Sequence, residues 1–276
     1  VQLQTPVAAL MREVAAREIL PRFRALLAHD IVEKSPGEIV TRADREAELR
    51  LRDGLDQLAL GARVIGEEAA AEDPALLDDA GRGLVWLVDP LDGTSNFAAG
   101  HAPFGVMVAL IADGVPIESW MLDPVTGRLC HAVRDKGATI DGTAVRISAA
   151  RRTRPIAALA TQFMPEIRRS RVHARAERHF DVVPIPRCAA ESYPRLVRGQ
   201  DDIALFQRIL PWDHAPGVLF LQEAGGFAAH WDGQPYRVGA DSSGLLVAGT
   251  EHLWQTAAKS FLSAAAPLHL AEAIAA

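Results

Sequence analysis

The stretch Trp86-Leu87-Val88-Asp89-Pro90-Leu91-Asp92-Gly93-Thr94-Ser95-Asn96-Phe97 joins an apolar run to two acids three residues apart. Residues 84–88 have the length and β-branched content of a buried strand. Pro90 then marks a tight turn that presents Asp89 and Asp92, and Gly93 and Thr94 open a helix. Two carboxylates and a turn carbonyl converge there, an all-oxygen set suited to a hard cation such as Mg²⁺. A shared Asp can bridge two such ions. Backbone N–H groups at a helix start favour an anion, so Gly93 and Thr94 form a candidate phosphate site. The plain alternative is a D-P-L-D-G turn with solvated acids.

Outward from this segment the chain alternates helical and strand patterns. Val7, Leu10, Met11, Val14, Ile19, Phe23, Leu26 and Leu27 fall at helical spacing, predicting one long amphipathic helix with Thr5 as N-cap and Pro6 at its first position. Ala43, Ala47, Leu51 and Leu55 share one face of a second helix over 41–60. Strands are expected at 63–66, 104–111, 115–122 and 129–133, the last three as an antiparallel meander with Asp-Gly, Asp-Pro and Thr-Gly turns. Near 148–155 the character shifts. Short strands at 156–160 and 182–185, helices near 189–198 and 214–224, and a hairpin around Trp231-Asp232-Gly233 follow. The expected division is an N-terminal α+β half, 1–148, and a C-terminal α/β half, 149–276.

The chain has 276 residues, 49% hydrophobic and 23% charged, so it can bury a large core. Its net charge of −6 argues against a surface built throughout for nucleic acid or anionic membrane. Two cysteines, Cys130 and Cys188, are too few for a disulfide scaffold, which predicts a reduced, cytoplasmic protein. There is no apolar run of membrane-spanning length, and Arg12, Glu13, Arg17 and Glu18 interrupt any signal-like region at the start of the sequence.

The string WLVDPLDGTSNF resembles the signature of the inositol monophosphatase family, the Mg²⁺-dependent, lithium-sensitive sugar-phosphatase superfamily. Three further segments are similar to that family in the same order. They are Thr41-Arg42-Ala43-Asp44, Ile65-Gly66-Glu67-Glu68, and Pro211-Trp212-Asp213-His214-Ala215-Pro216-Gly217 followed by Glu223-Ala-Gly-Gly226. The resemblance implies a layered αβαβα sandwich and hydrolysis of a small phosphate monoester. It implies a first metal held by Glu67, Asp89 and the Leu91 carbonyl, a second held by Asp89, Asp92 and Asp213, and a third, weaker ion near Glu67. By the same carry-over, Asp44 and Thr94 form a dyad that orients the attacking water together with Glu67, and the protein is a homodimer. The physical need for cations is plain, because four carboxylates in one cleft repel and raise one another's pKa.

Substrate choice is where the sequence departs from the family pattern. Arg187-Cys188-Ala189-Ala190 stands where a Gly-Ser/Thr-Ala-Ala start is common, and Phe206 stands seven residues before Asp213 in place of a substrate-binding Glu. Arg187, Ala189 and Phe206 are the candidate pocket residues, with Glu191, Ser192 and Tyr193 following on the same expected helix. Arg187 suits a second phosphate or a carboxylate, or is a surface residue. Inositol 1-phosphate is the first candidate substrate; histidinol phosphate, a 3′,5′-bisphosphorylated nucleotide and fructose 1,6-bisphosphate are the alternatives. His214 is read as a helix-face residue near a cap, and Cys188 as a small buried side chain. Residues 151–178 hold eight arginines against two glutamates, a local +6. That segment leaves open a reading of another class, an RNA- or protein-binding module with vestigial activity. No aromatic interleaving supports single-strand binding.

Overall fold

The structure is a computed structural model and describes residues 2–35, 37–147, 152–241 and 244–262. The first helix, α1 (Gln4–Val14), is capped by Leu3 rather than Thr5, and it does not run on through Leu27. It passes into a π-turn at Ala15–Ile19 and a 3₁₀ turn at Leu20–Arg22. Pro21 accounts for the break, since it has no N–H to donate to the preceding turn. A hairpin follows, β1 (Ile31–Ser35) and β2 (Glu38–Thr41), leading into α2 (Arg42–Asp56). Thr41 is the N-cap of α2 and Asp44 its N3 residue, a reciprocal capping box.

Next come β3 (Arg63–Gly66), α3 (Glu67–Glu72), β4 (Leu84–Asp92), α4 (Thr94–Ala98), β5 (Gly105–Ala112), β6 (Val115–Leu122), β7 (Leu129–Val133), β8 (Gly137–Ile140) and β9 (Thr143–Val145). These seven strands form one sheet in sequence order, with only the β3–β4 pair parallel. β4 continues to Asp92 with a register shift between Asp89 and Asp92. Asp89 and Asp92 are thus presented by an irregularity within a strand, not by a turn after one; such bulges re-aim side chains beside active sites.

The remaining elements are β10 (Ile156–Ala160), α5 (Glu166–Ala176), β11 (Asp181–Val183), α6 (Ala189–Val197), β12 (Ile203–Phe206), α7 (Pro211–Glu223), β13 (Phe227–His230), β14 (Leu245–Ala248) and α8 (Glu251–Phe261). Their five strands form a second sheet in the order β11-β10-β12-β14-β13, in which β10 is parallel to both neighbours. β11 ends before the expected 185, where Pro184 and Pro186 flank Ile185. The turn at Trp231-Asp232-Gly233 is present, but it leads only to an isolated bridge between Ala229 and Pro235, and the partner of β13 is the more distant β14. The expected division at residues 148 and 149 lies outside the described residues.

Packing orders these elements into five layers. α1 and α2 cover one face of the seven-stranded sheet, around Trp86, Phe97, Phe104 and Trp120. α6 and α7 lie between the two sheets, with Tyr193, Trp212 and Phe220 in that core. α5 and α8 cover the outer face of the five-stranded sheet. The architecture is the αβαβα sandwich. α7 is buried continuously from His214 to Leu221 because it lies between the two sheets.

Close approach of α6 and α7 depends on Gly217, where an added Cβ would lie 2.0 Å from the fully buried Tyr193 ring. Gly217→Ala is expected to cost about 1–3 kcal/mol through overpacking. A lowered melting temperature in thermal unfolding checks this, and an unchanged one would show that the middle layer yields freely.

Candidate metal centre

The end of β4, the start of α3 and the start of α7 meet at the mouth of the middle layer. There Glu67, Asp89 and Asp213 each offer a carboxylate oxygen, and these oxygens lie within 4.8 Å of one another. Local chemistry aims each one. Leu91 N donates to Asp89 Oδ1 at 3.0 Å, which fixes the carboxylate within the bulge. Asp213 is in the first turn of α7, after Pro211 at N1, where the helix dipole favours a negative charge. Glu67 opens α3 directly after Gly66, and a Cβ at Gly66 would strike the Glu48 carboxylate at 2.2 Å. Glu48 in turn accepts from Glu68 N at 2.7 Å and Ala69 N at 2.8 Å, capping the helix that carries Glu67.

Asp92 lines the same cleft but stands outside that trio. Its Oδ2 accepts from Ala190 N at 2.6 Å and Cys188 Sγ at 3.1 Å, so one oxygen is committed to the start of α6. Cys188 is buried and burial pushes its thiol well up, the opposite of an activated nucleophile. Thr94 Oγ1 lies 2.9 Å from Asp44 Oδ1 and 2.9 Å from the Leu91 carbonyl. Asp44 Oδ2 accepts from Thr41 N at 2.8 Å and Thr41 Oγ1 at 2.5 Å, so the capping carboxylate also reaches the cleft. Gly93, at φ +83°, packs against Pro103 and Cys188 with no room for a larger residue.

Lys34, on the β1–β2 hairpin, was not singled out by its sequence context. Its ammonium lies 2.9 Å from Glu67 Oε1 and 2.9 Å from Glu68 Oε1, a cation already seated on the acids. Burial alone would lower its pKa, but the two glutamates outweigh that and hold it above the usual range. His214 is buried, not on an exposed helix face. Its Nε2 lies 3.1 Å from the Arg208 carbonyl and its Nδ1 2.9 Å from Tyr193 Oη. Burial lowers it to about 4, so it is neutral, with Nε2–H donating and Nδ1 accepting from the tyrosine.

The cleft, with about 170 Å³ of solvent space, is lined on its other side by the C-terminal ends of the parallel strands, including Ala160 and Phe206, and by Arg187, Ala189 and Ser192. Ligands of open α/β sheets bind at such strand ends. Tyr193 belongs to the core, stacked on Phe206 at 5.8 Å. Arg187 has φ +57°, a left-handed backbone that costs a non-glycine residue roughly 1–2 kcal/mol. In the Arg-rich segment, Arg152 pairs with Asp202 and Arg154 with Asp181, while Arg168 lies over Trp231 at 5.0 Å. Arg169, Arg171 and Arg178 are exposed, and Arg151 lies outside the described residues. Among the described residues no helix is long and apolar enough to cross a membrane.

A family model described as the inositol monophosphatase family matches residues 3–266. The chain is 32% identical over 235 residues to an inositol-1-monophosphatase of Rhizobium meliloti, covering 80% of this chain and 81% of that protein. It is 26% identical over 259 residues to an inositol-1-monophosphatase of Bacillus subtilis, covering 92% and 94% respectively. Among solved structures, an inositol monophosphatase from Zymomonas mobilis superposes with a TM-score of 0.78 at 26% identity, covering 94% of this chain and 98% of that one.

Burial, then the charges of Glu67, Asp92 and Asp213, raises Asp89 well above the usual carboxylate range. Asp213 is raised likewise by burial and by the charges of Glu67 and Asp92. Asp44 and Asp92 are each pushed up to about 6, burial being the largest cause, and Glu68 to about 7 by burial and Glu67. Acids with raised folded pKa values stabilise the fold below their unfolded pKa, and that contribution is lost as pH rises through about 6–7. Without divalent cations the folding stability should therefore fall between about pH 5 and pH 8, by on the order of a few kcal/mol, read as a lower melting temperature. Millimolar Mg²⁺ should restore it at pH 8. Identical curves with Mg²⁺ and with chelator would contradict the metal-centre assignment.

Proposed function

The chain belongs to the inositol monophosphatase family of phosphoric monoester hydrolases, and from that membership we propose that it hydrolyses a small phosphate monoester with Mg²⁺ as the cation. The observation that carries this reading is the convergence of the Glu67, Asp89 and Asp213 oxygens, a cluster of acids in which Asp89 and Asp213 are raised by burial and by their neighbours' charges, as in a site short of positive charge. The donor set is all oxygen, and Lys34 already supplies a cation to Glu67, so the residues fit a hard divalent ion.

In this reading Glu67, Asp89 and the Leu91 carbonyl hold a first ion, and Asp89, Asp92 and Asp213 a second, with a third near Glu67. Bound ions would neutralise phosphate oxygens, lower the pKa of water and offset charge on the leaving oxygen. The protein groups do the positioning. Thr94 Oγ1–H donates to Asp44, which turns the oxygen lone pairs of Thr94 toward a water in the cleft. Glu67, half-exposed beside it, accepts the water's proton. Gly93 and Thr94 bound the phosphate position, and Arg187, Ala189 and Phe206 the position of the alcohol portion. Inositol 1-phosphate is the first substrate to test, with histidinol phosphate, a 3′,5′-bisphosphorylated nucleotide and fructose 1,6-bisphosphate beside it. A homodimer in the cytoplasm completes the proposal.

Asp213→Asn should abolish Mg²⁺-dependent phosphate release while raising the melting temperature of the metal-free protein, because it removes one of the repelling charges. Full activity in that variant would sink the assignment. Thr94→Ala should lower kcat by about 10²–10⁴ with little effect on KM. Millimolar Li⁺ should inhibit, and insensitivity would point to a different metal arrangement.

A further inference from the structure

Two guanidinium groups on the cleft take no part in activating the water or holding the cations. Arg187 is exposed, lines the cleft, and has no hydrogen bond, ion pair or ring partner among the described residues. Its strained backbone is imposed from both sides. Asn96 Nδ2 donates to the Pro186 carbonyl at 3.1 Å, and Cys188 Sγ is held 3.1 Å from Asp92 Oδ2. Residue 187 links those two anchored neighbours, in the left-handed conformation that glycine adopts freely. An arginine there gains nothing for the fold, and its charge stays open in the cleft.

Arg208 stands two residues beyond Phe206. His214 holds its carbonyl, its guanidinium lies 4.5 Å over the Phe163 ring, and the Glu38 carboxylate is seated on it as an ion pair. That pairing is the contact an incoming anion would make in place of Glu38. Phe206, in the same lining, offers no acceptor to a neutral hydroxyl. Once cations offset the four acids, Arg187, Arg208 and the Glu38 paired with it leave this wall one positive charge in excess.

We propose that Arg187 and Arg208 form an anion subsite, so that the preferred substrate carries a second anionic group, a phosphate or a carboxylate, besides the phosphate to be hydrolysed. A planar guanidinium accepts either group in a two-pronged contact. The preference rests on the phosphatase reading; the binding of the second anion does not.

The test compares wild type with Arg187→Gly, a residue at ease at φ +57°, so the variant has no backbone reason to misfold. Phosphate release from fructose 1,6-bisphosphate, 3-phosphoglycerate and inositol 1-phosphate is measured with Mg²⁺. Direct binding of the same compounds is measured by calorimetry with Ca²⁺ in its place. Wild type is expected to favour at least one of the two doubly anionic compounds over inositol 1-phosphate by about tenfold in kcat/KM, and Arg187→Gly to erase that ratio. Loss confined to the bisphosphate identifies phosphate as the second group, and loss confined to 3-phosphoglycerate identifies carboxylate. A ratio of one or less in wild type, or one unchanged in the variant, overturns the subsite while leaving the phosphatase reading intact. If no ester is hydrolysed, Arg187-dependent binding in Ca²⁺ keeps the subsite and overturns the phosphatase reading; Arg187-independent binding or none overturns both.

Discussion

Repulsion among Glu67, Asp89, Asp92 and Asp213 is the constraint that the surrounding structure has to meet. Each acid is held by a different device: a bulge for Asp89, the start of α6 for Asp92, the start of α7 for Asp213, and an ammonium for Glu67. The devices come from separate elements, so the site requires both sheets and the helices between them. Close packing in that middle layer, down to the Gly217 and Tyr193 contact, keeps α6 and α7 from moving apart to relieve the charge. The cluster therefore stores unfavourable energy in the metal-free fold, which a bound cation would convert into binding.

Much of this was legible because it is local. An apolar run before Asp89, a Pro at the first position of α7 and a Gly before Glu67 each announce their geometry over a few residues. The Thr41-Arg42-Ala43-Asp44 segment, whose family resemblance implies a dyad of Asp44 with Thr94, is also a helix-start signal, the capping box of α2. What could not be read depends on distant pairing. Lys34 meets Glu67 across 33 residues, and Glu48 caps α3 from 20 residues away. Nothing in the sequence around His214 shows that it would be buried between Tyr193 and the Arg208 carbonyl. The continuation of β4 through Pro90 was missed for a different reason: a proline between two acids has the local look of a turn, and only pairing with β5 across a register shift keeps it in the sheet.

The Arg-rich segment divides its charges between the fold and the surface. A local +6 suggests a binding surface, yet Arg152 and Arg154 are used to tie β10 to its flanks through Asp202, Asp181 and nearby carbonyls. Charge counted along a chain differs from charge presented to solvent, because folding brings distant acids to those arginines.

The two sheets divide the cleft unequally. The acids of the bulge and α3 hang on the seven-stranded sheet, whereas Ala160 and Phe206 end strands of the five-stranded one, with Arg187 on a loop beside them. Residues in separate packing environments tend to tolerate change independently. On the proposed reading, drift at the strand ends Ala160 and Phe206 would change which alcohol is recognised while leaving the carboxylates in place, so that new specificities would arise on this scaffold one wall at a time.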